Sequence, residues 1–485
     1  MTDTVAATDL NPFLPRPGTA TAGARIGGVD VAGEPHDLPE PATGEVLAVT
    51  GWVDADVARD AAARARGAAA GWAATPPRER AAALRRIADS LREQQDDLGA
   101  LIAAESGKRL EEARGEVGFS AQYFDWFADA ATMPRDEGFV TALRRFTVTR
   151  RPVGVVAAIS PWNFPLSIPA RKVAAALAAG CPVVQKASEL TPLTSLAFTR
   201  LCEPHLPADV LSVVVGDGEV LTTALVDSPD VNAVTFTGST RVGSAVAQRA
   251  MRSLTRVTLE LGGKAPFIVT EDADPQVALD ALMVAKFRNN GASCIAANNV
   301  FVHEAHYPDF IEALRARISG LATGDPTDPG TDVGPMLRRS HVERLDHLVE
   351  TAESDGCRVD RAPLPDSPGF FVAPALVEVT SDTVLWNEEI FGPVCAVRPY
   401  TDEGAVVAEV NSWRTGLGGY VMSADAEHAA QLSARLAIGI VGINNGAPNT
   451  PEVPFGGIGN AGIGREGGLV GMLEFTEQHT VSYGR

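Results

Sequence analysis

Cysteine 294 lies in the stretch Lys286-Phe-Arg-Asn-Asn-Gly-Ala-Ser-Cys294-Ile-Ala-Ala-Asn298, behind a helix-like run (Asp280 to Asn289) that a glycine breaks. Its neighbours are small, which leaves room for a substrate beside the sulfur, and a cysteine thiolate is the strongest ordinary protein nucleophile. Taken alone, such a residue is more often a buried core thiol. Asn163 stands in Ser160-Pro-Trp-Asn163-Phe-Pro165, a turn held by two prolines at the end of a strand pattern. Its amide is a neutral donor suited to a developing oxyanion, or else a turn cap. Glu260 lies on the apolar strand Thr258-Leu-Glu260-Leu-Gly-Gly263. A carboxylate there has a raised pKa and suits a general base, unless that side of the strand faces water. Glu389 sits in Asn387-Glu-Glu389-Ile-Phe391-Gly-Pro393, between a charged pair and a turn.

The elements that must position these residues alternate regularly. Strand patterns at Val153 to Ile159, Val183 to Lys186, Val210 to Val215 and Ala233 to Thr237 lead to helices at Ser167 to Ala179, Leu193 to Leu201, Val220 to Val226 and Arg241 to Met251. Such alternation implies an α/β fold with a parallel, doubly wound sheet and a ligand at the carboxyl ends of its strands. Ahead of it, Met1 to Ala42 reads as an extended arm with short strands. Asp54 to Ala130 reads as two or three long helices, clearest over Arg78 to Ala103, where Ala83, Leu84, Ile87, Leu91 and Leu98 share a face. Gly138 to Val153 has the alternation of a strand or hairpin. A second strand and helix block spans Thr258 to Val441 and contains Cys294. The tail from Gly442 is glycine-rich and ends in a strand pattern at Thr480 to Tyr483.

At 485 residues the chain can bury two or three domains' worth of core. Its net charge of -20 argues against unspecific attraction to nucleic acid or anionic membrane, so an anionic substrate needs its own local arginines. The five scattered cysteines form neither a disulfide framework nor a zinc pattern and fit a reducing cytoplasm. No signal-peptide pattern opens the chain, and its apolar runs are too short to span a bilayer. His303-Glu-Ala-His306 lacks the i, i+4 pair of a zinc protease, and no metal is expected.

Together the motifs PWNFP (161–165), FTGST (236–240), LELGGKAP (259–266), the cysteine stretch, EEIFGP (388–393) and PFGG (454–457) closely resemble the aldehyde dehydrogenase superfamily, in order and spacing, across nearly the whole chain. The resemblance implies two doubly wound parallel-sheet domains and a small β oligomerisation arm. Residues 1–130 and 151–257 would form the dinucleotide-binding domain and 258–441 the catalytic domain. Residues 131–150 and 470–485 would form the arm of a homodimer or homotetramer, and 442–469 an active-site loop and return segment. It implies that Cys294 attacks an aldehyde, that the Asn163 amide and Cys294 N–H hold the oxyanion, and that Glu260 activates the water that releases the acid. The acidic Asp325 to Asp332 stretch resembles the family's GDP…TDVGP loop and lacks the glutamate of a calcium loop.

For the cofactor, the resemblance assigns Lys186 and Glu189 to the adenine ribose hydroxyls and Ser239 and Trp162 to the pyrophosphate. Gly238 would sit near the nicotinamide, with Glu389 on its ribose and Phe391 packed beside it, and Ser160, Gly218 and Leu261 complete the cofactor-binding set. Ser239 opens a helix after a strand, where free N–H groups suit a pyrophosphate. A carboxylate at Glu189 would repel a 2′-phosphate, so NAD is expected in preference to NADP.

Within the superfamily the chain is most similar to succinate-semialdehyde dehydrogenases, where two arginines bind the distal carboxylate. Arg171 and Arg288 fill those positions, and a guanidinium pair suits a carboxylate. Phe455 and Asn449 complete the expected pocket, with Asn449 where the subfamily often offers a serine. Two other departures stand out. Ala296 replaces the redox partner that some relatives carry two residues after the cysteine, and Gly459 and Ala461 replace the usual Lys and Ser. Another anionic or small aldehyde is the alternative substrate, and an inactive structural paralogue the alternative of a different class. Glu260 argues against a route to coenzyme A thioesters, whose members generally lack it.

Overall fold

The computed structural model describes residues 11–15, 19–133, 136–380 and 382–484. The start of the expected arm (residues 1–10 and 16–18), positions 134–135 and 381, and the last residue lie outside the described residues.

Four helices precede the alternating region: Ala55–Ala74, Pro77–Glu93, Gln95–Ser106 and Leu110–Thr132. Asp54 caps the first, accepting the N–H groups of Asp56 and Val57, and proline opens the second. The apolar face expected over Arg78 to Ala103 is buried, but it belongs to two helices broken at Gln94 (φ −105°, ψ 20°). Periodicity carries across such a break because both segments face the same core. Leu84, Ile87 and Leu91 are fully buried, each worth about 1.5–3 kcal/mol.

The first sheet runs, edge to edge, Val29–Val31, Ala24–Ile26, Leu211–Val214, Val183–Lys186, Val155–Ile159, Val231–Gly238, Arg256–Leu261 and Gly462–Ile463. Its middle five strands are parallel. Their chain order is third, second, first, fourth, fifth, so the winding reverses between Val155–Ile159 and Val231–Gly238. A crevice opens at that point, at the carboxyl ends of the strands. The second sheet runs Arg358–Arg361, Ala375–Glu378, Val394–Tyr400, Ala297–His303, Ala265–Val269, Gly418–Met422 and Ile440–Ile443, parallel except at Arg358–Arg361. The α/β class with two parallel sheets is as expected from the sequence.

The change of sheet falls later than the expected boundary at 257/258. Strand Arg256–Leu261, which carries Glu260, pairs residue for residue with Val231–Gly238 and belongs to the first sheet. The crossing occurs in Gly262-Gly263-Lys264, where side-chain-free backbone can leave one sheet and enter the other. The tail returns from Ile440–Ile443 in the second sheet to Gly462–Ile463 on the edge of the first. A separate three-stranded antiparallel sheet joins Glu137–Val140, Arg145–Pro152 and Thr476–Tyr483. The last strand begins four residues earlier than its sequence pattern suggested, extended by pairing with Arg145–Pro152.

One buried carboxylate fixes how the helical layer meets the first sheet. Glu105 accepts the N–H groups of Leu193 (2.6 Å) and Thr194 (3.1 Å) and the Thr194 hydroxyl (2.6 Å), so it caps helix Pro192–Cys202 from a distant element. Burial pushes its pKa up to about 7 against the lowering effect of those donors. A folded-state pKa above the unfolded value contributes stability that is complete at acid pH and is lost as pH rises through about 7. Thermal melts of Glu105→Gln across this range are therefore expected to show a lower Tm than the parent at pH 5, with the gap narrowing towards pH 8. A constant gap would contradict this titration.

Candidate active site

Helix Pro275–Phe287, capped by Asp274 and opened by proline, stops two residues before the end of the expected run. Arg288 leaves helical geometry (φ −54°, ψ 138°), and Asn289, Asn290 and Gly291 follow in the left-handed region (φ 56°, 56° and 73°). Asparagine tolerates that region best among residues with a side chain. A Cβ on Gly291 would lie 2.2 Å from the Gly392 carbonyl oxygen, so only glycine fits. This unwound turn delivers Cys294 to the crevice.

Cys294 is half-buried where two cavities meet. One, of about 330 Å³, has Arg171, Arg288, Asn449 and Phe455 in its wall, with Phe119, Tyr123 and Phe164 from other elements. The other, of about 230 Å³, contains Trp162, Asn163, Gly238, Ser239, Glu260, Leu261, Glu389 and Phe391. Arg171 and Phe455 border both. Every residue expected to contact substrate thus lies in the first cavity, and most of the cofactor set lies in the second.

The remaining cofactor residues cluster apart from the sulfur. Lys186 Nζ donates to Glu189 Oε2 at 2.9 Å, and a Cβ on Gly218 would sit 3.5 Å from that Nζ. Ser160 N–H donates to the Lys186 carbonyl at 3.2 Å, and its buried hydroxyl has no partner. These groups lie at the carboxyl ends of adjacent parallel strands. A dinucleotide fits this layout: ribose-binding donors and a carboxylate at one end, an open helix start at Ser239-Thr240, and orphaned buried oxygens of Thr237 and Glu389 at the other.

Asn163 and Glu260, expected as oxyanion donor and base, sit in opposite surroundings, the first hydrogen-bonded and the second unpartnered. Asn163 Nδ2 donates to the Ala292 carbonyl at 3.1 Å, which orients the amide beside the cysteine turn. The Asn163 carbonyl is itself held by Lys108 Nζ (3.2 Å) and Asn289 Nδ2 (2.8 Å). Glu260 is buried, not solvated, and neither carboxylate oxygen has a partner. Burial and the nearby Glu466 push its pKa well above the usual carboxylate range, against Arg171 and Lys172. Glu389 is half-buried, and desolvation raises it to about 7.

Three residues in this network lack any motif that singles them out. Glu466 pairs with Lys172 through Oε1 and lies 2.6 Å from Arg171 Nε through Oε2, close enough for an ion pair though not aligned as a hydrogen bond. Thr235 donates to the same carboxylate at 2.9 Å. Despite its burial, Glu466 is held below the usual carboxylate range by these cations and donors. Lys172 adjoins an expected site residue, but its partner lies 294 positions away, beyond the reach of local sequence signals.

Burial pushes the Cys294 thiol up to about 12, with Arg171 lowering it and Glu389 and Glu260 raising it. The cofactor-free protein should therefore hold a mostly protonated thiol at neutral pH. Iodoacetamide alkylation at Cys294, followed by mass spectrometry, is expected to speed up about tenfold per pH unit between about pH 7 and 9. Arg171→Ala should slow it at any given pH. A rate that levels off below pH 8 would contradict this environment.

The family model described as "Aldehyde dehydrogenase family" matches residues 29–481. The mitochondrial succinate-semialdehyde dehydrogenase of Arabidopsis thaliana is 38% identical, over 92% of this chain and 85% of its own length. A non-phosphorylating aspartate-semialdehyde dehydrogenase of Halomonas elongata is 36% identical, over 92% of each chain. The crystal structure of succinate-semialdehyde dehydrogenase from Burkholderia pseudomallei superposes with a TM-score of 0.94 at 35% identity, covering 98% of this chain and 99% of the other. By sequence along nearly its whole length, and by fold, this chain belongs to the aldehyde dehydrogenase family.

Proposed function

We propose that this member of the family oxidises an aldehyde with a distal anionic group to the carboxylic acid, with succinate semialdehyde as its substrate, Cys294 as nucleophile and Glu260 as base. The observation that carries this reading is the position of Cys294 between a cavity with two arginines and a cavity with the unpartnered Glu260 carboxylate and an orphaned oxygen of Glu389. Once its proton has passed to water, Cys294 Sγ would attack the aldehyde carbon as the thiolate, and the oxygen left negative would meet the second N–H of the Asn163 amide and the Cys294 N–H. A bound nicotinamide supplies the hydride acceptor that turns the resulting thiohemiacetal into a thioester. Glu260 would then take a proton from water, whose oxygen attacks the thioester carbon and returns the sulfur. Its raised pKa suits that task, because a base is most effective near the working pH.

Arg288 is half-buried in the wall of the larger cavity, and no carboxylate pairs with it among the described residues. Arg171 keeps one side of its guanidinium on Glu466 and stacks 4.4 Å from the Phe455 ring, a geometry that pre-orients the rest. Arg288→Ala and Arg171→Ala are each expected to raise KM for succinate semialdehyde by about 10- to 100-fold while changing it little for a neutral four-carbon aldehyde. Equal effects on both aldehydes would remove the anion clamp. The cavity also favours a second reading, in which the same mechanism serves a longer anionic aldehyde. A volume of about 330 Å³ with walls from Phe119, Tyr123 and Phe164 accommodates more than a four-carbon chain. The same aldehyde panel separates the two by kcat/KM.

For the cofactor we propose NAD in preference to NADP. Glu189, already engaged with Lys186, would accept from both ribose hydroxyls and repel a 2′-phosphate. Glu189→Ser is expected to raise the NADP/NAD ratio of kcat/KM about tenfold or more, and an unchanged ratio would defeat the assignment. A homodimer or homotetramer is supported by the three-stranded sheet, where Phe139, Val140 and Leu143 lie exposed around outer strand Glu137–Val140, whose far edge pairs with no other described strand. A cytoplasmic location is supported by five free cysteines, and no described helix is long and apolar enough to cross a membrane.

A further inference from the structure

Two side chains grip the backbone on either side of Cys294. Upstream, Asn289 Nδ2 donates to the Ala292 carbonyl at 2.9 Å as well as to the Asn163 carbonyl at 2.8 Å. The Ala292 oxygen also accepts from the Asn163 side chain, so one carbonyl joins the cysteine turn to the expected oxyanion donor. Downstream, Tyr420 reaches from strand Gly418–Met422 in the second sheet and donates from Oη to the Ile295 carbonyl at 2.6 Å. Tyr420 is fully buried, with its ring tilted against Phe267 at 5.6 Å. Between the two grips the Ala296 N–H closes on the Ser293 carbonyl at 3.0 Å.

We infer that Asn289 and Tyr420 are positioning residues, which hold the Cys294 N–H and the Asn163 amide at the spacing needed to share one oxyanion. This rests on the reading of Cys294 as nucleophile. The turn needs such restraint because non-glycine residues in the left-handed region are strained and persist only where the surroundings over-determine them. Asn290 is restrained separately: its amide donates to the Gly107 and Pro335 carbonyls at 3.0 Å each and accepts from Gly334 N–H at 2.8 Å. Those bonds anchor the turn to the scaffold. The bonds of Asn289 and Tyr420 instead end on the Asn163 carbonyl and on the Ala292–Ser293 and Ile295–Ala296 peptides, one peptide out from Cys294 on either side. Asn163 has two amide hydrogens, and the one spent on Ala292 leaves the other directed by the same restraint. A displacement of about 1 Å at such a site costs about 100-fold in rate.

Tyr420→Phe removes one hydroxyl and keeps the ring. Asn289→Asp keeps the size and the tolerance of the left-handed region but sets a carboxylate against two carbonyl oxygens. Tyr400→Phe is the control, because Tyr400 Oη donates to the Val269 carbonyl at 3.2 Å in the same sheet and borders neither cavity. NADH formation is followed in a single turnover with enzyme in excess over aldehyde, together with KM and Tm. Tyr420→Phe and Asn289→Asp are expected to slow the single turnover at least about tenfold with KM nearly unchanged. Tyr400→Phe should lower Tm alone. Parent-like single-turnover rates in both variants, with only Tm reduced, would overturn the inference. If Asn289→Asp does not fold, Tyr420→Phe decides. A Cys294→Ala protein that still oxidises aldehyde would overturn the nucleophile reading itself. An inactive Cys294→Ala beside unaffected Tyr420→Phe and Asn289→Asp would overturn the positioning role only.

Discussion

A carboxylate taken out of water keeps its charge only beside cations and donors, and Glu466 finds both inside the first domain. It arrives on the tail and lands on the adjacent Arg171 and Lys172, in a helix whose thirteen residues are all buried. Much of the site depends on this contact. It seats the tail beside the first sheet, where Gly462–Ile463 pairs with the strand that carries Glu260. It holds Arg171 at the wall common to both cavities. It also places a second negative charge near Glu260, one of the causes that push that carboxylate towards the titration range of a base.

The second constraint is geometric. The first sheet presents the carboxyl ends of its parallel strands to the crevice, with Asn163, Gly238 and Glu260, and the second presents the amino ends of its own, with Cys294 just before Ala297–His303 and Glu389 and Phe391 just before Val394–Tyr400. No single domain contains the whole constellation. A narrow junction between two cavities follows, with the sulfur reachable from either side. That arrangement suits chemistry in which one partner brings the carbon and another takes the hydride, because each enters without displacing the other.

Much of the fold was legible because period-2 and helical patterns alternate cleanly from Val155 to Ala250, and the helix at Ser167–Ala179 and strand at Val183–Lys186 fall on their expected residues. Misplaced features were those where the pattern continues across a physical break. The apolar face over Arg78 to Ala103 hides the bend at Gln94. The helix before Cys294 looks longer than it is because Arg288 and Asn289 are compatible with helix by propensity, while hydrogen bonds donated by Asn289 to the Glu112 carboxylate and to the Asn163 carbonyl hold the unwound form. The boundary set at 257/258 failed because strand Arg256–Leu261 reads the same whichever sheet it joins; only its pairing with Val231–Gly238 decides.

By itself the sequence determined the α/β class, the family through its ordered motifs, and the residue types available for the chemistry, because these depend on local pattern and on identity at fixed positions. The tertiary structure alone decided that Glu260 is buried and unpartnered, that Glu466 pairs with both Arg171 and Lys172, and that Asn289 and Tyr420 bracket the cysteine. Each of those facts is a contact or an exclusion of water between segments far apart in the chain, and neither leaves a trace in local spacing.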